Sequence, residues 1–183
     1  MATSLSEIAR MLDSEGVNYH RTSNFIAMGW GTGKYKDSSN EKSIMIVIRL
    51  SENGEYFKAF APEAFTIGEA YRDPFLRACA IIQWKTKLIQ FEYDENDGEV
   101  RPIIEFPLED SSLTQRQLMR CVSGMVQLID QFYPVLRRAS ETGVVDFPDR
   151  DETRSELLGR VLGALPDDQV ADILKKSDEY RGN

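Results

Sequence analysis

Read for hydrophobic spacing, the chain switches repeatedly between a helical and a strand period. In SLSEIARMLDSEG (4–16), Leu5, Ile8, Met11 and Leu12 share one face of a short helix. Ser4 with Glu7 matches a capping box, and Gly16 is a natural stop. VNYHRTSNFIAMGW is a looser, strand-like stretch. SIMIVIRL (43–50) is a dense β-branched run and predicts a central strand buried on both faces. SENG (51–54) reads as a turn. EYFKAFAP then returns as a strand, with Tyr56 and Lys58 opposite Phe57 and Ala59.

Asp73-Pro74 predicts a helix start, with Asp as cap and Pro at the first helical position. FLRACAIIQWKTKL follows, apolar over a wide face, and is expected to pack on the sheet. LIQFEY (88–93) alternates, DENDG turns, and VRPIIEFPLED comes back; Asp97-Gly98 is the hairpin signal. Pro102 lacks a donor for a strand ladder, so its strand is expected at a sheet edge or on a bulge. The longest element runs from about 115 to 142. Thr114 with Gln117 forms a capping box, with Leu113 and Leu118 placed as a hydrophobic staple. Leu118, Val122, Met125, Ile129, Phe132 and Leu136 make one apolar seam. At 1.5 Å per residue this helix could span roughly 40 Å, with Pro134 expected to kink or interrupt it. Arg137 and Arg138 sit near its end, where the helix dipole favours cations, and Gly143 is the expected C-terminal cap.

After VVDFPDRDE, Pro148 and a run of charges predict a linker. Thr153 with Glu156 is a third capping box, and Leu157, Leu158, Val161, Leu162 and Leu165 form an amphipathic stripe ended by Pro166. So short a helix is not stable alone and must pack on something, either its own domain or a partner; in the second case this stripe is the candidate partner-binding site. The expected organisation is an α+β domain over 1–145, an antiparallel sheet flanked by helices, followed by a linker and helical tail over 146–183.

Composition narrows the function. The 183 residues carry a net charge of -8, a surface that repels nucleic acid and anionic membrane. Arg116, Arg120, Arg137 and Arg138, with Trp84, Lys85 and Lys87, fall short of a basic stripe with stacking platforms. No nucleic-acid or membrane partner is expected. The N-terminus has no secretory pattern and no window is long enough to span a bilayer, so the cytoplasm is the expected location. Cys79 and Cys121 lie in apolar helical patterns and read as buried hydrophobes in a reducing compartment.

Three stretches invite chemistry. GWGTGK (29–34) resembles a phosphate loop, yet Met28 stands where its first glycine belongs and Tyr35 where its Ser or Thr belongs. A polar loop follows in place of the required helix. It is read as a glycine-rich turn whose glycines supply positive φ, with Trp30 packing or anchoring an edge. DENDGE (94–99) cannot be an EF-hand loop: with Gly98 at the sixth position, Tyr93 and Ile104 occupy positions that need acids. His20 is the single histidine, and NYHRTS around it has neither nucleophile elbow nor metal spacing. No catalytic, cofactor-binding or metal-binding residue is singled out, although paired carboxylates need no sequence signature.

LIQFEYDENDGEVRPIIEFPLED followed by LTQRQLMRCVSGMVQLIDQFYPVLRRA resembles the YbjN family, which shares the fold of type III secretion chaperones. The likeness rests on a strand pair around an acidic turn, a corner at Leu108-Glu109-Asp110, and a long helix with a Tyr133-Pro134 step. It covers roughly residues 4–143. The resemblance implies a compact α/β domain, often dimeric, with one sheet face available to other chains and no catalytic residues.

The expectation is therefore a non-enzymatic protein-binding or chaperone-like module, homodimeric, with a protein client. One alternative is a nucleotide-binding or hydrolytic enzyme using Gly29 to Lys34. Another is a regulatory subunit acting in signalling or transcription through protein contacts.

Overall fold

The computed structural model describes residues 3–147. The elements run α1 (Leu5–Ser14), β1 (His20–Arg21), β2 (Ile26–Gly31), β3 (Ser43–Ser51), β4 (Tyr56–Phe60), β5 (Phe65–Thr66), α2 (Arg72–Lys85), β6 (Gln90–Tyr93), β7 (Glu99–Pro107) and α3 (Gln115–Thr142). Every strand pairing is antiparallel. The seven-stranded sheet is ordered β1-β2-β3-β4-β7-β5, with β6 on the other flank of β7. The fold is thus α+β, an antiparallel sheet flanked by helices. The predicted tail, with Leu157, Leu158, Val161, Leu162 and Leu165, lies outside the described residues.

The local signals act as expected at the starts of α1 and α3. Ser4 and Glu7 close a reciprocal capping box on α1, and Thr114 and Gln117 close another on α3. Gly143 takes the left-handed conformation that ends α3, its N–H donating to the Ala139 carbonyl. Asp73 and Pro74 do not act as predicted. A 3₁₀ turn at Glu69–Tyr71 leads into α2, which begins at Arg72 with Tyr71 at its cap position and no side-chain cap bond. The preceding turn supplies the entry geometry, so Pro74 sits two positions deeper, still in the first turn, where a missing N–H costs nothing.

Two prolines behave differently from their local expectation. β7 is interior, not an edge: β4 and β5 lie along one side and β6 along the other. Pro102 is tolerated because it falls in a gap. β4 ends with Phe60 opposite Ile103 and β5 begins with Phe65 opposite Val100. Between them only the Pro102 carbonyl is needed, accepting the Ala61 N–H at 3.0 Å. Pro134 does not interrupt α3, which is continuous over 28 residues; packing along its buried face outweighs one lost backbone bond.

The core lies between the sheet and the helices. Met28, Ile46, Ile48, Ala59, Phe57 and Ile104 are in register on one face and buried. The helices cover that face: Phe75 of α2 packs on Phe65 and Tyr133 of α3 on Tyr35, while α1 packs against α3. α2 packs mainly against α3 and β6. The α3 seam is buried as expected at Leu118, Val122, Met125, Ile129 and Leu136, joined by Cys121, Val126, Val135 and Ala139; Phe132 is only half-buried.

β3 corrects another expectation. Its burial alternates, and Met45 is 50% exposed. Among the described residues, only one face of this β-branched strand is covered, because the three described α-helices stack on the same side. β-branched side chains suit a strand whether or not its second face is buried.

Candidate functional site

GWGTGK divides into two parts with different tasks. Gly29, Trp30 and Gly31 complete β2, and the chain then turns down toward α3. None of Gly29, Gly31 or Gly33 has positive φ, contrary to the turn prediction. Glycine's role lies in close approach: a Cβ on Gly33 would sit 3.0 Å from Asp130 Oδ2. The N–H groups of Gly33, Lys34 and Tyr35 converge on Asp130 Oδ1 at 3.0, 2.6 and 2.8 Å. This is an anion nest, and a carboxylate of the same chain fills it. Burial pushes the Asp130 carboxyl up, but the three N–H groups and the nearby Lys34 charge outweigh it and hold it below its ordinary value.

The clasp orders the loop beneath the sheet. Tyr35 is buried, packs edge-on against Phe65 and Tyr133, and donates its hydroxyl to the Ala64 carbonyl at 2.8 Å. Lys34 lines a shallow hollow of about 370 Å³ with Tyr133, Pro134, Arg137, Arg138 and Glu141. Arg137 is engaged there with Glu141 at 2.8 Å.

The other stretches serve structure. Asp94 Oδ1 accepts the Asn96 backbone and side-chain amides, Asp97 Oδ1 accepts the Glu99 N–H, and Gly98 turns the hairpin with φ +76°. His20 is exposed on β1. Cys79 and Cys121 are buried free thiols, and burial pushes them up to about 12 and about 11. Among the described residues no group of three His, Cys, Asp or Glu side chains is placed to hold a metal ion. None of their helices is long and apolar enough to cross a membrane.

The feature that sequence reading missed is the bare face of the sheet. Opposite the core face, the register places Ala27, Gly29, Met45, Val47, Arg49, Lys58, Phe60, Arg101, Glu105 and Glu92 together. At its centre Phe60 is buried although no described helix covers it. Arg101, Arg49 and Lys58 surround its ring, their charged groups 5.2, 5.5 and 5.9 Å from the centroid. The charged groups lie over the ring face, a cation–π arrangement. Lys58 bridges Glu92 at 3.3 Å and Glu105 at 3.5 Å, and Arg101 bridges Glu92 at 2.7 Å and Glu99 at 3.8 Å. Burial pushes the Glu92 carboxyl up, but Arg101 and Lys58 outweigh it, and its pKa is lowered.

Arg49 is the exception in this network. Among the described residues it has no carboxylate partner, only the Phe60 ring. It opens onto a hollow of about 480 Å³ shared with Phe60, Pro62, Glu63, Thr66, Asp97, Glu99 and Arg101. Beside it, Met45 and Val47 continue the face as an apolar strip. The period-two alternation of β3 carried this signal; the density of β-branched residues masked it.

Neither the sequence-family profiles nor the curated proteins include a match to this chain. Structural comparison finds the crystal structure of YbjN from E. coli, a candidate transcription regulator. The TM-score is 0.54 at 12% identity, over 74% of this chain and 90% of that one. The fold is that of YbjN. At this identity the YbjN likeness concerns architecture. The corner seen in the sequence is a real turn within it: Leu108 donates its N–H to the Glu55 carbonyl at 2.6 Å, and Glu109 takes φ +47°.

Proposed function

We propose that this chain is a non-enzymatic, chaperone-like protein-binding module, homodimeric and cytoplasmic, that receives a segment of a client protein on its bare sheet face. One observation carries the reading: exposed Met45 and half-buried Val47 form an apolar strip beside the carboxylate-free Arg49, with no described helix above it. A segment presenting an apolar residue next to an acidic one fits this chemistry. Exposed apolar surface next to an unneutralised cation is a recognised signature of a contact site.

The test is photo-cross-linking from position 47, comparing the wild type with Met45→Asp and Arg49→Glu. Loss of the same cross-linked species in both variants, with unchanged melting, supports the reading. Retention of every species in both would reject it. The Leu157, Leu158, Val161, Leu162 and Leu165 stripe is proposed as a second contact element, tested by truncation after Asp146.

A second reading is a regulatory subunit working by protein contacts. It draws on the architectural likeness to YbjN, itself a candidate transcription regulator. Transcript profiles of cells carrying the Arg49→Glu variant discriminate: a defined set of altered transcripts favours it over a client-holding role. The nucleotide reading has less support, because Asp130 takes the three N–H groups that a phosphate would need. A thermal shift with nucleotide and magnesium that disappears in Lys34→Ala would reinstate it.

A further inference from the structure

Among the described residues, the edge of β2 beyond β1 carries unmet hydrogen-bonding groups. Thr32 donates its N–H to the Lys42 carbonyl at 3.0 Å, opposite in register. In an antiparallel pair, residues alternate between facing the partner strand and facing away. Thr32, Trp30 and Met28 therefore direct their backbone groups at β3, and Gly31 and Gly29 direct theirs outward. The β1 side agrees. Thr22 donates to the Phe25 carbonyl at 2.9 Å, so Phe25 and Ala27 face β1, and Gly29 and Gly31 continue that outward row. β1 stops opposite Ala27. Among the described residues, nothing accepts or donates to the outward groups of Gly29 and Gly31, and both residues are exposed.

Edge strands are normally guarded by a lysine, a proline, a bulge or a covering element. Among the described residues, this one has none over Met28 to Gly31. The nine residues from Phe25 to Gly33 carry no charge in a chain of net charge -8. Two copies that repel elsewhere are not held apart here.

We propose that two copies of this chain join along this edge, β2 against β2, antiparallel about a two-fold axis at Trp30. Gly-Trp-Gly is a palindrome, so one register satisfies every outward group. Gly29 pairs with Gly31 of the second copy, Gly31 pairs with its Gly29, and the two Trp30 residues stand directly opposite each other. Trp30 is only half-buried in the single chain. A cross-strand tryptophan pair covers both rings and adds a favourable aromatic contact. Isologous symmetry needs this self-complementarity and a heterologous partner does not. The proposal rests on the homodimer half of the reading above and supplies its geometry.

The register makes a sharp test in the full-length chain. Residues at a non-hydrogen-bonded antiparallel pair have Cα atoms about 4.5 Å apart, within disulfide range. Trp30→Cys is expected to form an intermolecular disulfide under mild oxidation, seen as a dimer on a non-reducing gel. Thr32→Cys is not expected to: its counterpart lies four positions along the paired strand, roughly 13 Å away. Cys79 and Cys121 are buried and do not interfere. Gly31→Pro removes one outward donor and leaves the β3 ladder intact, so self-association by light scattering should weaken at least tenfold. A dimer that neither cross-links through position 30 nor responds to Gly31→Pro overturns this edge but leaves the homodimer standing. A monomer at every concentration overturns both.

Discussion

Asp130 Oδ1 lies 2.8 Å from the Tyr35 backbone nitrogen and receives the Gly33 and Lys34 N–H groups as well, at 3.0 and 2.6 Å. One carboxylate on α3 thus holds the β2–β3 loop, and through Tyr35 it positions the aromatic cluster with Phe65 and Tyr133. Asp130→Ala is expected to cost about 1–2 kcal/mol, because water can replace the carboxylate at Gly33 and Lys34 but less readily at Tyr35. Urea denaturation measures it.

The same contact sets a pH dependence. The Asp130 carboxyl is held below its ordinary value in the folded chain. Its stabilisation is therefore complete above the unfolded pKa, about 3.9, and is lost as pH falls through the folded one. Asp130→Asn should lower stability at pH 7 and converge toward the wild type as pH falls below the ordinary carboxylate range, by parallel urea titrations. A constant difference across that range would show that the carboxylate charge is not what the nest binds.

Tyr35→Phe removes the hydroxyl that donates to the Ala64 carbonyl at 2.8 Å inside the core. The ring contacts survive and the carbonyl loses its partner. A loss of about 1–2 kcal/mol is expected from denaturant midpoints, without a change in m value.

Gly54 has φ +94°, and a Cβ there would lie 2.1 Å from the Thr3 carbonyl oxygen. Thr3 ties α1 to the fold through its N–H to Gly54 and through its Oγ1, which accepts the Leu113 N–H at 2.9 Å. Gly54→Ala adds backbone strain to a clash with main chain and should cost about 2 kcal/mol or more. Hydrogen exchange should rise first in α1.

Burial pushes the Cys79 and Cys121 thiols up to about 12 and about 11, far from the reactive thiolate range. Both should be silent to a thiol reagent at pH 8 in the native chain, and both should react once it is unfolded.

Legibility followed the range of the interaction. The capping boxes at Ser4 and Thr114 and the Gly143 cap were readable because their partners lie within four residues. The hairpin at Gly98 was readable for the same reason. Pro102 was misjudged because its acceptability depends on where β4 stops and β5 starts. The loop at Gly33 was misjudged because its ligand, Asp130, is 97 residues away. The two faces of β3 looked alike because Ile, Val and Met suit a strand on either side of a sheet.

By itself, the amino-acid order determined where the helices and the longer strands lie, how α1 and α3 begin and end, and that the sheet is antiparallel. Periodicity, caps and turns act through neighbours along the chain and need no global knowledge. Only the tertiary structure decided that every described helix stacks on one side, leaving Met45 and Arg49 uncovered. It also decided that Asp130 fills the nest, and that β1 ends too early to pair with Gly29 and Gly31. Those outcomes depend on which distant groups meet in space, and hydrogen bonds and burial are settled there, not along the backbone.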